Sequence, residues 1–405
     1  MHTLVSFLGR TRRPAQGYER VAYRFPDGTR QSDIAFIGHG IAAHTHPDRL
    51  VILGTAGSMW DQLLADYPSA QLSEESDLAL PDSVDRQATS AEQLEELAQA
   101  LTQAADREVV LRLIPETPGM DETWQILHTL ADVTAEADRL TLDITHGFRH
   151  LPMVALMAAL YRQTLAPDLE VDGLWYAQLA PGGQEADMHN IAGILALADW
   201  MEAIQRGRTT GDLSAVANLL QADAPQIADD LAQGSFLETV HQGQHARSRY
   251  RRVRQALRET ELPGPGGVFQ PLLEAQTAWV EGQRLHLRQA EHARNALARQ
   301  DYLRAALYGY EAFITQQVHK SAGAQQVGGR EQREAAKDAF IQNCQGRSRE
   351  IPECQAFHQL RELRNALAHG DQPGHADVQS ALSSPQALHD LLHRILDQLL
   401  PRSPG

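Results

Sequence analysis

The sequence predicts an α/β domain followed by an all-α domain, and three observations predict it. Short apolar runs alternate with amphipathic stretches as far as Leu179. From Ile191 onward no strand-like alternation remains. The Ala-, Leu- and Gln-rich chain beyond it keeps helical spacing to the C-terminus. Strands that alternate with helices form right-handed βαβ units, hence a mostly parallel, Rossmann-like sheet covered on both faces. The predicted division is an α/β domain over 1–185, a helical linker region over 186–285 and a helical domain over 286–405.

The elements follow in order. Thr3–Leu8 is a buried-strand run ending at Gly9, and Val21–Phe25 with Arg30–Ile34 flank an Asp-Gly turn, the signal of a hairpin. Arg49–Leu53 is a strand and Met59–Ala65 a helix. Gln93–Gln103 carries Leu94, Leu97 and Leu101 at helical spacing. Glu108–Ile114 is a strand stopped by Pro115, and Glu122–Asp132 is a helix. Arg139–Thr145, Leu151–Leu165 and Gly173–Leu179 read as strand, helix and strand. Ile191–Gln205 is an apolar helix, LPGPGG at 262–267 interrupts the helical region, and the tail PRSPG is expected to fray.

Bulk properties narrow the function classes. A chain of 405 residues, 42% hydrophobic and 22% charged, has room for two or three ordinary globular domains. No apolar run reaches the roughly 18 residues of a membrane span. The opening MHTLVSFLGRTRR places its charges after the apolar stretch, the reverse of a secretory signal. Cys344 and Cys354 give no disulfide framework and no zinc spacing. The expectation is a cytoplasmic protein with no metal, no cofactor and no membrane partner. A net charge of -16 argues against a general nucleic-acid coat and leaves room for a local basic site.

Three predicted strand ends carry residues suited to a ligand. The first ends in Gly9 and Arg10, the second in Gly54, Thr55, Ala56, Gly57, Ser58 and Met59, the third in Thr145, His146, Gly147, Phe148 and Arg149. Ligands of open α/β sheets bind outside the carboxyl ends of the strands where strand order reverses. Small residues admit a ligand to the backbone, and helix N-termini behind such turns offer N–H groups to a phosphate. The same residues also fit a plain role in tight turns, with His146 structural. No GxGxxG or GxxxxGK[ST] is present, which disfavours a dinucleotide site or a P-loop. Asp143 fits a structural role: it could hold a loop by accepting backbone N–H bonds, or it could simply be a polar edge residue.

The second constellation is FHQLRELRNALAHG at 357–370. Phe357, Leu360, Leu363 and Leu367 form one stripe, and Gly370 suits a helix C-cap. Four residues separate Arg364 from His369, with Asn365 beside the arginine. At a loosened helix end His369 could turn back toward Arg364. Histidine can move protons near neutral pH, and arginine can hold a phosphate while charge develops on it. The pair suits metal-independent RNA cleavage by the ribose 2′-hydroxyl, better with two pairs across a dimer. It equally suits a solvated, capped helix end. The run RSRYRRVRQALR at 247–258 holds six arginines, fit for an RNA backbone or for pairing with carboxylates.

Asp143-Ile144-Thr145-His146-Gly147 resembles the DxTHG motif of type III CRISPR-associated proteins, and SFLG and GTAGSMWD resemble the same family's strand ends. Arg364-Asn365-Ala366-Leu367-Ala368-His369 resembles the RxxxxH motif of HEPN ribonucleases. Together they resemble a CARF–HEPN effector over essentially the whole chain. The resemblance implies a homodimer, with higher assembly left open, whose CARF pocket takes a cyclic oligoadenylate as allosteric activator. Gly9, Arg10, Gly54 to Met59 and Thr145 to Arg149 would line that pocket. Arg364 and His369, supported by Asn365, would cut single-stranded RNA. Two other readings compete: a nucleotide sensor whose helical domain only docks partners, and an α/β-domain enzyme acting on its own cyclic nucleotide.

Overall fold

The computed structural model describes residues 1–10, 19–116, 119–181, 183–281, 284–322, 329–345 and 351–400, and the chain divides into two compact units, 1–198 and 199–405. The predicted PRSPG tail lies outside the described residues.

The first unit runs β1 (His2–Leu8), β2 (Val21–Arg24), β3 (Arg30–Ile34), α1 (Ile37–Thr45), β4 (Arg49–Gly54), α2 (Glu74–Asp85), α3 (Ala91–Ala105), β5 (Glu108–Leu113), α4 (Met120–Val133), β6 (Arg139–Asp143), α5 (Leu151–Leu165), β7 (Glu170–Leu179) and β8 (Glu185–Asn190). The strands form one sheet in the order β3-β2-β8-β7-β6-β1-β4-β5. Only β2/β3 and β7/β8 are antiparallel among the described pairs. The chain lays down β1, β4 and β5 in one direction, then returns to place β6 and β7 on the other side of β1. Strand order therefore reverses at β1/β6.

Burial on both faces explains why the strands read as continuous apolar runs. Leu4, Leu8, Leu50, Ile52, Val109 and Leu111 pack toward α1–α3, while Val5, Phe7, Val51, Leu53, Leu140 and Leu142 pack toward α4 and α5. α3 starts where Ser90 and Gln93 cap each other reciprocally, and it buries Leu94, Leu97 and Leu101 as predicted.

Several expectations shift. The helix foreseen at Met59–Ala65 is a 3-10 helix at Trp60–Asp66, tightened by i to i+3 bonds such as Gln62 N–H to Met59 C=O at 3.0 Å. The strand foreseen to Thr145 stops at Asp143, whose carboxylate accepts the Thr145 amide at 2.9 Å and turns the chain. The helix foreseen from Ile191 begins as a 3-10 turn at Ala192–Leu195.

The helices continue as α6 (Ala196–Thr210), α7 (Ser214–Leu220), α8 (Pro225–Thr239), α9 (Gly243–Glu259), α10 (Gly264–Thr277), α11 (Leu285–Ala298), α12 (Tyr302–Ala322), α13 (Arg330–Asn343), α14 (Pro352–His369), α15 (Ala376–Ala381) and α16 (Pro385–Leu399). The LPGPGG break is shorter than foreseen: α10 already starts at Gly264, with Pro265 in its first turn, where a missing N–H costs nothing. Two buried clusters fill this part of the chain. One gathers Trp200, Leu231, Tyr250, Val253 and Leu273; the other gathers Phe313, Phe357, Leu360, Leu363, Leu392 and Ile395. The predicted α14 stripe supplies Phe357, Leu360 and Leu363 to the second, with Leu367 half-buried beside it.

The expectation of no disulfide framework needs correcting. Cys344 and Cys354 are bonded, their Cα atoms 5.7 Å apart. The end of α13 meets the first turn of α14, so two cysteines pair without any repeating spacing. Among the described residues no helix is long and apolar enough to cross a membrane.

Candidate functional sites

The end of β1 is where the first site assembles. A Cβ placed on Gly9 would stand 3.5 Å from the Gly147 amide nitrogen, so the β1 and β6 loops lie side by side. On the other flank Met59 N–H donates to the Gly9 carbonyl at 3.2 Å and Ser58 Oγ to the Leu8 carbonyl at 2.7 Å. All three predicted strand ends thus meet at one place.

Their side chains divide into two kinds. Thr55, Gly57, Ser58 and Met59 are buried. Ser58 Oγ also accepts the Thr55 amide at 2.9 Å, and the buried indole of Trp60 donates to the Thr55 carbonyl at 2.9 Å. Gly54 is required by packing: a Cβ there would stand 2.7 Å from the Trp60 ring and 2.9 Å from Ser58. Asp143 is fully buried, taking Ser6 Oγ–H at 2.5 Å on one oxygen and the Thr145 amide on the other. The half-buried Thr145 accepts the Ala177 amide on Oγ1 at 3.1 Å. These groups hold the loops.

The second kind faces outward. Arg10, His146, Gly147, Phe148 and Arg149 are exposed, and Ala56 is half-buried. Gly147 has φ +101°, a conformation open to glycine, and a Cβ there would stand 2.8 Å from Leu151. Phe148 stacks near His150 at 5.9 Å, and the Arg10 guanidinium reaches the Gln87 side-chain amide.

The expected helix N-terminus does not supply the donors. In the first turn of α5 Leu151 N–H bonds to Phe148 C=O, Met153 and Val154 N–H bond to His150 C=O, and Pro152 has no N–H. The open donors come from the loops instead. Among the described residues the amides of His146, Gly147, Phe148, Arg149, Ala56 and Gly57 make no hydrogen bond. Loop amides with the exposed Arg10 and Arg149 make an anion-attracting surface.

The second site lies on α14. The half-buried Arg364 sets its guanidinium 4.7 Å above the Tyr310 ring, and its buried Nε has no partner. It lines a cleft of about 500 Å³ with Arg330, Arg333, Lys337, Glu311 and Glu334. Asn365 is half-buried and His369 exposed. The idea that His369 turns back to Arg364 fails. α14 stays helical through His369 and closes on Gly370 at φ 74°, and residues five apart on a helix point about 140° apart. No hydrogen bond joins the two among the described residues.

The arginine run is mostly engaged. Arg249 and Arg252 pair with Asp230 at 2.9 and 2.6 Å, Arg254 and Arg258 share Glu281 at 3.0 Å, and Arg247 Nε donates to the Val280 carbonyl. The carboxylate-pairing alternative is the one present.

Residues 3–172 match the family model of the CARF domain of CRISPR system endoribonuclease Csx1. Over these residues the chain is similar to that CARF domain. A CRISPR-associated protein of Methanocaldococcus jannaschii, MJ1674, is 21% identical over 238 residues, covering 53% of this chain and 37% of that protein; the match thus spans little more than a third of that relative. Csm6 of Enterococcus italicus, solved with cyclic hexa-2′-fluoro-hexa-dAMP bound, aligns over 100% of this chain and 96% of its own at 12% identity with a TM-score of 0.41.

Within the first unit, the sequence pointed to the converging loops, Ser6 at the end of β1 included, and not to Trp60 and Gln87, which hold or border them. Trp60 sits inside the quoted GTAGSMWD run and could have been read as a support. Nothing in linear order joins Gln87 to Arg10, or Tyr310 to Arg364.

Proposed function

We propose that this protein is an endoribonuclease of type III CRISPR antiviral defence, switched on by a cyclic oligoadenylate and cutting single-stranded RNA without a metal. The observation that carries the reading is the group of unbonded amides at the end of β1, set beside the exposed Arg10 and Arg149. A ring of phosphates suits that surface. The family whose CARF model matches is described as an endoribonuclease.

The α14 residues would supply the chemistry. His369 accepts the ribose 2′-hydroxyl proton, and the oxygen attacks the adjacent phosphorus. The 5′-oxygen leaves as a hydroxyl, taking a proton from water, and a 2′,3′-cyclic phosphate remains, while Arg364 stabilises the charged phosphorane and Asn365 supports it. Arg364 and His369 point apart on one helix, so two copies would complete the site. An apolar surface on α4 and α5 supports a homodimer: Met120, Trp124, Met153 and Met157 are 52–67% exposed around a cleft of about 590 Å³.

The test is cleavage of a fluorescent single-stranded RNA in EDTA, with cyclic tri-, tetra- and hexa-adenylate added separately. One ring switches cleavage on in the wild type and not in His369→Ala. The exposed His369, lacking a bond to Arg364, favours a second reading, a sensor that only docks partners. A thermal shift from one ring with no cleavage by any would establish that instead.

A further inference from the structure

A separate cleft of about 650 Å³ lies wholly in the helical unit, between the turn from α8 to α9 and the helices α11 and α12. One wall is aromatic. The Trp279 and His292 rings have centroids 3.9 Å apart, and His292 stacks on Tyr308 at 5.0 Å. Arg288, only 8% exposed, lines the cleft, and burial, then the neighbouring Arg247 and Arg251, push its pKa down. A phosphate in the cleft would meet this guanidinium as a charged acceptor.

Among the described residues two polar atoms at this wall have no partner: Gln289 Oε1 and His292 Nε2. Buried polar atoms are nearly always bonded, and leaving one unmade costs free energy, so such a pair marks a place for ligand groups. Burial pushes the His292 pKa down to about 3, so the ring is neutral at physiological pH. Its Nδ1 lies 3.5 Å from Glu238, a carboxyl that burial pushes up to about 7.

We propose that this cleft binds a nucleotide, with an amino-bearing base against the Trp279–His292–Tyr308 wall, its amine donating to Gln289 Oε1, and its phosphate on Arg288. An aromatic face beside a cation is the chemistry that holds single bases with their phosphates. The volume lies in the range of small-ligand pockets. The exposed Gln242, Gln244 and His245 form a polar lip. The ligand is a free mononucleotide or the terminal nucleotide of an RNA. The inference does not rest on the ribonuclease reading: Glu311 lines both this cleft and the one beside Arg364, but the residues assigned to the base and the phosphate belong to neither proposed site.

Calorimetry on the full chain tests it with adenosine monophosphate, inosine monophosphate, ribose 5-phosphate and 5′-phosphorylated triadenylate. The adenine nucleotide should bind once per chain, the inosine nucleotide about fivefold more weakly and ribose 5-phosphate about twentyfold more weakly. Triadenylate tighter than the monophosphate assigns an RNA end; equal or weaker binding assigns the free nucleotide. Gln289→Leu should erase the adenine preference, and Arg288→Gln should weaken the monophosphate about tenfold without changing adenosine. Should Arg288→Gln not fold, Gln289→Leu and the adenine-to-inosine ratio decide. No binding at about 5 mM, or an affinity unchanged in both variants, overturns the proposal.

Discussion

At the strand ends of the first unit the buried polar side chains are already engaged. Ser58 holds Leu8 and Thr55, Asp143 holds Ser6 and Thr145, and Thr145 holds Ala177. What faces outward is backbone amide, arginine, His146 and Phe148. At the end of α14 the balance is reversed. The Nε of Arg364 lacks a partner, and His369 stands exposed on another side of the helix. A loop site can be finished inside one chain because its own side chains fix the backbone. Two side chains five apart on a regular helix cannot converge, so a site made from them needs a second contributor.

The strongest way to sharpen this contrast is to remove the helix-end groups. His369→Ala or Arg364→Ala should lower activated RNA cleavage by about 10³-fold while a thermal shift by the activating ring is unchanged. Retained cleavage in either variant would end the ribonuclease assignment of α14. On the other side of the comparison, Gly54→Ala drives a methyl into Trp60 and Ser58, and urea unfolding should show a loss of about 2–3 kcal/mol. An unchanged midpoint would mean that the loop is looser than its bonds imply.

Two shielded carboxylates, Asp143 and the half-buried Glu238, differ in the same way. Asp143 takes two donors within hydrogen-bond distance, whereas Glu238 takes Tyr250 Oη–H at 2.9 Å with neutral His292 at 3.5 Å. Glu238 has a folded-state pKa of about 7, above its ordinary 4.5. Its stabilising contribution is therefore present below 4.5 and lost as pH rises through about 7. Glu238→Gln should match wild type at pH 5 and exceed it by about 2 kcal/mol at pH 8, read by urea unfolding at both values. Equal stability at pH 8 would show that the carboxyl ionises without penalty.

Smaller effects follow. Arg149→Ala should raise the activator concentration for half-maximal cleavage about tenfold and leave the maximal rate intact; an unchanged requirement removes Arg149 from the pocket. Asp230→Ala frees Arg249 and Arg252 at a partly exposed position and should cost under about 1 kcal/mol in thermal unfolding. A marked rise in RNA affinity would reopen the basic-run reading.

Much of the first unit was legible. Its strands are buried on both faces, which prints apolar runs, and its loops are bounded by glycines that the geometry demands. β8 was not seen because EADMHN alternates weakly and pairs through β7. α1 escaped because IGHGIAAHT carries two glycines and two histidines among its apolar residues. The source of the open amides was misplaced: sequence pointed to the start of α5, but the helix spends its own first-turn donors. In the helical part, α14 and its stripe were readable, whereas the separation of Arg364 from His369 follows from helix angle rather than from residue type. The Cys344–Cys354 bond and the Tyr310–Arg364 contact depend on helices meeting, which linear spacing does not encode.

Asp143 has a mechanical consequence. One oxygen is tied to β1 through Ser6 and the other to the loop after β6 through Thr145, and both ties are buried or nearly so. Anything that lifts that loop pulls on the carboxylate, and the carboxylate pulls on the first strand. β1 lies between β6 and β4, so the load passes sideways to the strand whose loop forms the opposite lip of the same surface. The two lips are coupled through the sheet beneath them rather than across the gap between them.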